Sequence, residues 1–192
     1  VELPPSIYQM IDGERQAVDG TFLITDDGEV RFDIGTYEAD LPLVIDPILS
    51  YSTYLGGSAN DTPIGLAVDA EGNTYIAGTT ASIDFPGADS ASVDAGAGDD
   101  AFLAKVSADG SSIVFANYMG GESLDAARAV TLGETGRIFV TGATDSPDFP
   151  LVDSLQAESN GFFDVFVSIF SPIGGDLLYS TYIGGEKDEV AT

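Results

Sequence analysis

One heptapeptide phrase frames the whole chain. YSTYLGG at 51–57 returns as FANYMGG at 115–121 and as YSTYIGG at 179–185. Its matched tyrosines are Tyr54, Tyr118 and Tyr182, and 118 − 54 and 182 − 118 are both 64. A return at fixed period without insertion marks a tandem structural unit, and that settles the class of fold before any local reading does.

Each unit carries four short apolar runs. They are expected as strands at 64–69, 74–80, 101–107 and 112–118 in the first unit, and at 128–133, 138–144, 165–171 and 176–182 in the second. Turn residues separate them: Gly72-Asn73, Asp109-Gly110, Gly136 and Gly174-Gly175. One longer segment per unit, 81–100 and 145–164, opens on a matched phrase, TASIDFP against TDSPDFP, and then diverges. Segments that vary on a constant scaffold are candidate binding loops. No stretch joins a helical period to start and stop signals.

A four-stranded antiparallel sheet cannot cover both of its faces alone and needs a neighbour on each side. The expected fold is therefore all-β, a partial β-propeller of four-stranded antiparallel blades with a small N-terminal β unit. Residues 48–192 hold the repeats, with blades at about 64–118 and 128–182 and a third blade truncated; 49–55 reads as a lone outermost strand ahead of the first blade. Residues 1–47 lie outside the repeat and read as an antiparallel β unit. Its turn signals are Asp12-Gly13, Asp19-Gly20 and Asp27-Gly28, between strands expected at 6–11, 16–25, 29–34 and 43–45. Val30, Phe32 and Ile34 alternate with Arg31 and Asp33, as on a half-buried strand. Pro42 and Pro47 bracket the last run and suit an edge.

These phrases resemble the SBBP β-propeller repeat family. The first unit carries the resemblance through LAVDAEGNTYIAG at 66–78, DFP at 84–86 and DAFLAK at 100–105. The second departs from it, with Gly133 for Asp69, Arg137 for Asn73, and Ser168 and Ile169 for Ala104 and Lys105. PLVIDP at 42–47 is similar to the segment that precedes such repeats. The resemblance implies a large secreted or surface-exposed prokaryotic protein and no established reaction.

Composition narrows the partners. Thirty-two acids against six bases give a net charge of −26, which repels nucleic acid and anionic membranes. There is no cysteine and no histidine, so thiol catalysis, disulfides, zinc fingers and histidine triads fall away. No run reaches the roughly 18 apolar residues of a membrane span, so no insertion is expected.

The repeated positions read first as scaffold. Gly56-Gly57, Gly120-Gly121 and Gly184-Gly185 are expected as turns between blades, where glycine permits positive φ or close approach. Tyr54, Tyr118 and Tyr182, with Tyr51, Tyr75, Phe115, Phe139 and Tyr179, are expected to pack between blades. Asp61 matches Asp125 and Glu189, Asp84 matches Asp148, and Asp100 matches Asp164. Short acids beside glycine hold turn amides. The functional alternative is calcium, with Asp94, Asp99 and Asp100 as candidate metal ligands in a glycine-rich loop.

The function expected is a non-enzymatic extracellular or cell-surface module for binding or adhesion, whose partner is a protein or glycan. The alternative is a structural subunit that associates with copies of itself through open blade faces and sheet edges into a filament or surface layer. A third reading, a carboxylate-based polysaccharide hydrolase or lyase, has no recurring catalytic set behind it.

Overall fold

The computed structural model describes residues 6–24, 30–46, 51–88, 98–173, 176–187 and 189. The described residues form thirteen strands and no helix, and contacts divide the chain into two compact units, Val1–Ser52 and Thr53–Thr192.

The first unit holds two small antiparallel sheets. In one, β1 (Ser6–Ile11) lies between β2 (Glu14–Ala17) and β5 (Leu43–Asp46). In the other, β3 (Gly20–Ile24) pairs with β4 (Val30–Ile34). Asp12 (φ 52°) and Gly13 (φ 84°) close the β1–β2 hairpin with two positive φ values, the mirror-image turn that matches strand twist. The run at 16–25 is two strands, not one. Val18 N–H donates to Ile7 O at 2.8 Å, and Asp19 O accepts from Gly35 N–H at 2.8 Å. The Asp19-Gly20 turn signal thus overrides the continuous run and hands the chain from one sheet to the other. Phe32 is 41% exposed, so the alternation in β4 does not bury it. Asp27-Gly28 lies outside the described residues. Gln9, 1% exposed, fixes the returning segment: its Nε2 donates to Glu38 O (2.8 Å) and Leu41 O (3.1 Å), and its Oε1 accepts from Glu38 N–H (2.7 Å).

The second unit is a pair of four-stranded antiparallel sheets. The first is β6 (Asp61–Val68), β7 (Thr74–Thr80), β8 (Asp100–Val106) and β9 (Ile113–Met119); the second is β10 (Asp125–Leu132), β11 (Ile138–Thr144), β12 (Asp164–Phe170) and β13 (Leu177–Ile183). Both follow chain order, so each is a meander. The first strand of each begins three residues earlier than expected, at Asp61 and Asp125, because it continues through a bulge at Pro63/Gly65 and Ala127/Ala129. β6 pairs on one side only, and a bulge on such a strand tolerates a proline that has no amide to donate.

The sheets pack face to face. Phe166, Tyr182, Ile138 and Val140 of the second sheet meet Tyr75, Ala77, Ala101, Leu103 and Met119 on one face of the first. Ala101, Leu103, Ile138, Phe166 and Tyr182 have no exposure, and each large side chain buried this way is worth about 1.5–3 kcal/mol. The opposite face of the first sheet carries its own cluster, Phe85, Phe102, Ala104, Ala116 and Tyr118. The two units repeat even ring geometry: Phe85–Phe102 and Phe149–Phe166 centroids are both 4.6 Å apart. The outer face of the second sheet is less covered. Ile183 there is 49% exposed, whereas its counterpart Met119 is 2% exposed.

Residues 51–57 are not in a strand, so the lone strand expected at 49–55 is corrected for its described part, 51–55. Tyr54 is fully exposed and packs between no blades, unlike its two counterparts. A strand is defined by its ladder, and residues 51–57 join none of the described sheets.

Candidate functional site

The acids, serines and glycines that recur gather at one place in each unit, the crossing into the first strand of a sheet. Asp125 begins β10, and its Oδ2 accepts from Gly121 N–H (2.9 Å) and Ser146 Oγ (2.8 Å). Asp148 Oδ1 accepts from Glu122 N–H at 2.9 Å, and Ser146 Oγ accepts from Ser123 N–H at 3.0 Å. One unit earlier the same bonds recur. Asp61 Oδ2 accepts from Gly57 N–H (2.8 Å) and Ser82 Oγ (3.1 Å), while Thr80 Oγ1 donates to Oδ1. Asp84 Oδ1 accepts from Ser58 N–H and Ser58 Oγ at 2.8 and 2.9 Å, and Ser82 Oγ accepts from Ala59 N–H at 2.9 Å. One unit later Glu189 Oε2 accepts from Gly185 N–H at 3.0 Å, so glutamate does the same job with one more methylene.

Five of the six paired glycines are there for space; Gly185 alone has room for a methyl group, with Glu189 Oε1 at 3.7 Å. None of Gly57, Gly120, Gly121, Gly184 and Gly185 has a positive φ. A methyl group on Gly120 would run into Asp100 Oδ1 and stand 2.9 Å from Asp125 Oδ2; one on Gly121 would run into Asp148. Gly184 bears the same relation to Asp164, and Gly56 and Gly57 would meet Asp61 Oδ2 and Asp84 Oδ1 at 2.5 Å. Carboxylates press against bare backbone, which only glycine permits.

Tyr118 and Tyr182 clamp the D-F-P segments. Tyr182 OH donates to Ser146 O (2.7 Å) and accepts from Phe149 N–H (3.1 Å). Tyr118 OH does the same with Ser82 O (2.7 Å) and Phe85 N–H (2.8 Å). Burial, foremost, pushes the Tyr182 phenol up to about 12.

The electrostatics follow from crowding. Burial raises the Asp125 carboxyl pKa against its hydroxyl and amide donors, and the Asp148 charge adds to the rise. Asp164 is raised by burial first, opposed by Asn160 N–H, with Glu189 adding to it. Asp84 is lowered, chiefly by the Ser58 amide.

Of the three candidate calcium ligands, Asp94 lies outside the described residues. Asp100 is buried beside Gly120, and the Asp99 carbonyl accepts from Asp125 N–H at 2.8 Å. Among the described residues no group of three or more acids comes together as a cation cage.

A second network belongs to the first sheet alone. Lys105 Nζ lies 3.1 Å from Asp69 Oδ2 and 4.7 Å from the Tyr75 ring centroid. Asp69 Oδ1 accepts from Asn73 N–H at 2.8 Å. Burial works against the Asp69 charge, yet the Asn73 and Lys105 donors outweigh it and hold the carboxyl at about 2. Gly133, Arg137 and Ile169 replace this set in the second sheet, so it is not a repeated functional group.

The loop at 145–164 is ordered along the outer edge of its own sheet. Val152 and Ser180 exchange backbone bonds (2.9 and 3.3 Å), Gln156 N–H donates to Thr181 Oγ1 (2.9 Å), and Gln156 Oε1 accepts from Gly184 N–H (3.2 Å). Sequence reasoning missed Ser82, Ser146 and Gln156. The serines were legible as the invariant third residue of the T-x-S phrase, whereas Gln156 has no counterpart to flag it.

A family model described as a β-propeller repeat, SBBP, matches residues 50–86. Residues 50–86 are thus similar to one SBBP β-propeller repeat. The match takes in the Gly56-Gly57 pair, Asp61, Ser82 and the Asp84-Phe85-Pro86 phrase, so it spans the donors and acceptors of one whole crossing. Residues 1–48 match a second model, described as a domain of unknown function (DUF7948). No curated protein matches the chain.

Proposed function

We propose that this SBBP-repeat chain is a non-enzymatic module exposed outside a prokaryotic cell, where it binds a protein or glycan in recognition or adhesion. One observation carries the reading. The recurring carboxylates and hydroxyls accept from backbone amides and from one another at the crossings, so the repeated chemistry holds a rigid scaffold in place. Function then rests with surfaces that differ between units. The net charge of −26 supports solubility in the open and disfavours polyanionic partners.

The test has two arms. Antibody labelling of intact cells carrying the full-length protein should find it outside. The purified chain should bind at least one member of a panel of glycans and surface proteins. Failure of both arms removes the proposal.

A second reading, association of copies through open blade faces, is favoured by the partly uncovered outer face of the second sheet, where Ile183 is 49% exposed. Association through sheet edges has less support, because 152–156 lies along β13. Light scattering at rising concentration tests this reading, and a constant monomer mass ends it.

A further inference from the structure

Where the two sheets meet, a cavity of about 340 Å³ opens beside the first strand of the second. That volume lies at the lower end of the ~300–1,000 Å³ typical of small-ligand sites. Thr79, Asp99, Leu124, Asp125, Arg128 and Phe163 line it.

The position of these residues in the repeat sets them apart. Asp125 recurs as a scaffold group, but the other polar lining residues, Thr79, Asp99 and Arg128, do not. Arg128 stands where the preceding unit has Ile64, Asp99 corresponds to Phe163, and Thr79 corresponds to Ala143. Both members of the last two pairs reach the same cavity, one from each repeat. The sequence therefore leaves its repeat where the sheets enclose a space.

The charges point to a ligand. Arg128 is one of six bases among thirty-two acids, is exposed, and makes no ion pair with a described residue. Asp99 and Asp125 stand in the same lining. Asp125 is 1% exposed and its carboxylate is already held by the Gly121 amide and the Ser146 hydroxyl, so the acceptor open to a ligand is the exposed Asp99. The cavity thus offers the Asp99 carboxylate as a strong acceptor, a five-donor guanidinium, a hydroxyl, and an apolar wall from Phe163 and Leu124.

We propose that this inter-sheet cavity binds a neutral pyranose ring. Sugar hydroxyls both donate and accept, so they suit a carboxylate and a guanidinium held together, and the ring's C–H face suits the aromatic wall. An anionic ligand meets the long-range field of −26 and two local carboxylates, and a cationic one meets Arg128. The inference rests on the binding-module reading and names the ligand class of one site within it.

The test uses the full 192-residue chain and free methyl hexosides, followed by backbone amide NMR shifts. Methyl glucoside, galactoside and mannoside are titrated to about 100 mM, with glucuronate and lysine methyl ester as charged controls. The expected result is saturable shifts at residues 99, 124–128 and 163 with at least one hexoside. Arg128→Ile, which installs the residue of the preceding unit, and Asp99→Ala should each weaken binding about tenfold or more. A thermal melt checks that each variant folds, and Asp99→Asn serves if Asp99→Ala does not. The proposal is overturned by the absence of saturable shifts with all three hexosides, by saturation with a charged control alone, or by affinities unchanged in the variants. If the chain still binds the surface panel after such a result, only the cavity assignment falls.

Discussion

Three tyrosines at one repeat position form an internal control. Tyr182→Phe removes a hydroxyl that donates to Ser146 O at 2.7 Å and accepts from Phe149 N–H at 3.1 Å, in a side chain with no exposure. Each lost bond is worth about 1 kcal/mol net, and leaving both buried backbone groups without a partner brings the cost to roughly 2–3 kcal/mol. Tyr118→Phe breaks the equivalent pair to Ser82 O and Phe85 N–H at 4% exposure, so its cost should be similar. Tyr54→Phe alters a fully exposed residue and should stay within about 0.5 kcal/mol. Urea unfolding at pH 7 reads all three. With a slope on the order of 2 kcal/mol per molar, the two buried variants should move the midpoint of the repeat unit down by about 1–1.5 M. A Tyr54→Phe loss equal to the others, or Tyr118→Phe and Tyr182→Phe losses below about 0.5 kcal/mol, would refute the clamp.

Further expectations concern the crossings and the charges. Gly120→Ala should destabilise by about 2 kcal/mol or more, because the methyl meets Asp100 and Asp125 while φ itself is unstrained; wild-type stability in a urea melt would show that the carboxylates yield freely. Asp125→Ala should cost about 2 kcal/mol by leaving Gly121 N–H and Ser146 Oγ without their acceptor, whereas Asp125→Asn, which keeps an acceptor and sheds a buried charge, should cost much less at pH 7. Asp69 is held at about 2 against an ordinary 3.8, so its contribution is present above the ordinary value and lost as pH falls through the folded one. The stability gap between the native chain and Asp69→Ala should therefore be full at pH 5 and close between about pH 4 and 2; a constant gap would count against the Lys105–Asp69 pair. The Tyr182 phenol is shifted the other way, and its contribution, full below pH 10, should disappear as pH rises from 10 to about 12, an alkaline loss that Tyr182→Phe lacks.

Much of the fold was legible because the repeat constrains it twice. β7 and β11 match the expected 74–80 and 138–144, since turn residues bound them on one side and the T-x-S phrase on the other. β6 and β10 were read as starting three residues late, because Pro63 speaks against a strand until a bulge accommodates it. The segment at 51–55 was read as a strand by analogy with 115–119 and 179–183, but pairing is a tertiary property and the matching letters of the first copy form no strand. The family of the glycines and acids was visible at the crossings, yet their reason was not. Positive φ and close approach look alike in a sequence, and only the carboxylates lying against Gly120 and Gly121 separate them. The cavity left no motif, because its lining is drawn from both repeats and, Asp125 apart, its polar members Thr79, Asp99 and Arg128 are departures from the pattern.

The strip of loop beside β13 has a bearing on how tandem copies coexist. Neighbouring units in one polypeptide sit at very high local concentration, and an unpaired outermost strand in each would offer every neighbour a template for wrong pairing. Val152 takes the Ser180 amide and carbonyl, and Gln156 takes the Thr181 hydroxyl and the Gly184 amide, so the second repeat brings its own cover within the same sheet. An array built this way can lengthen by duplication without raising the risk that its members fuse.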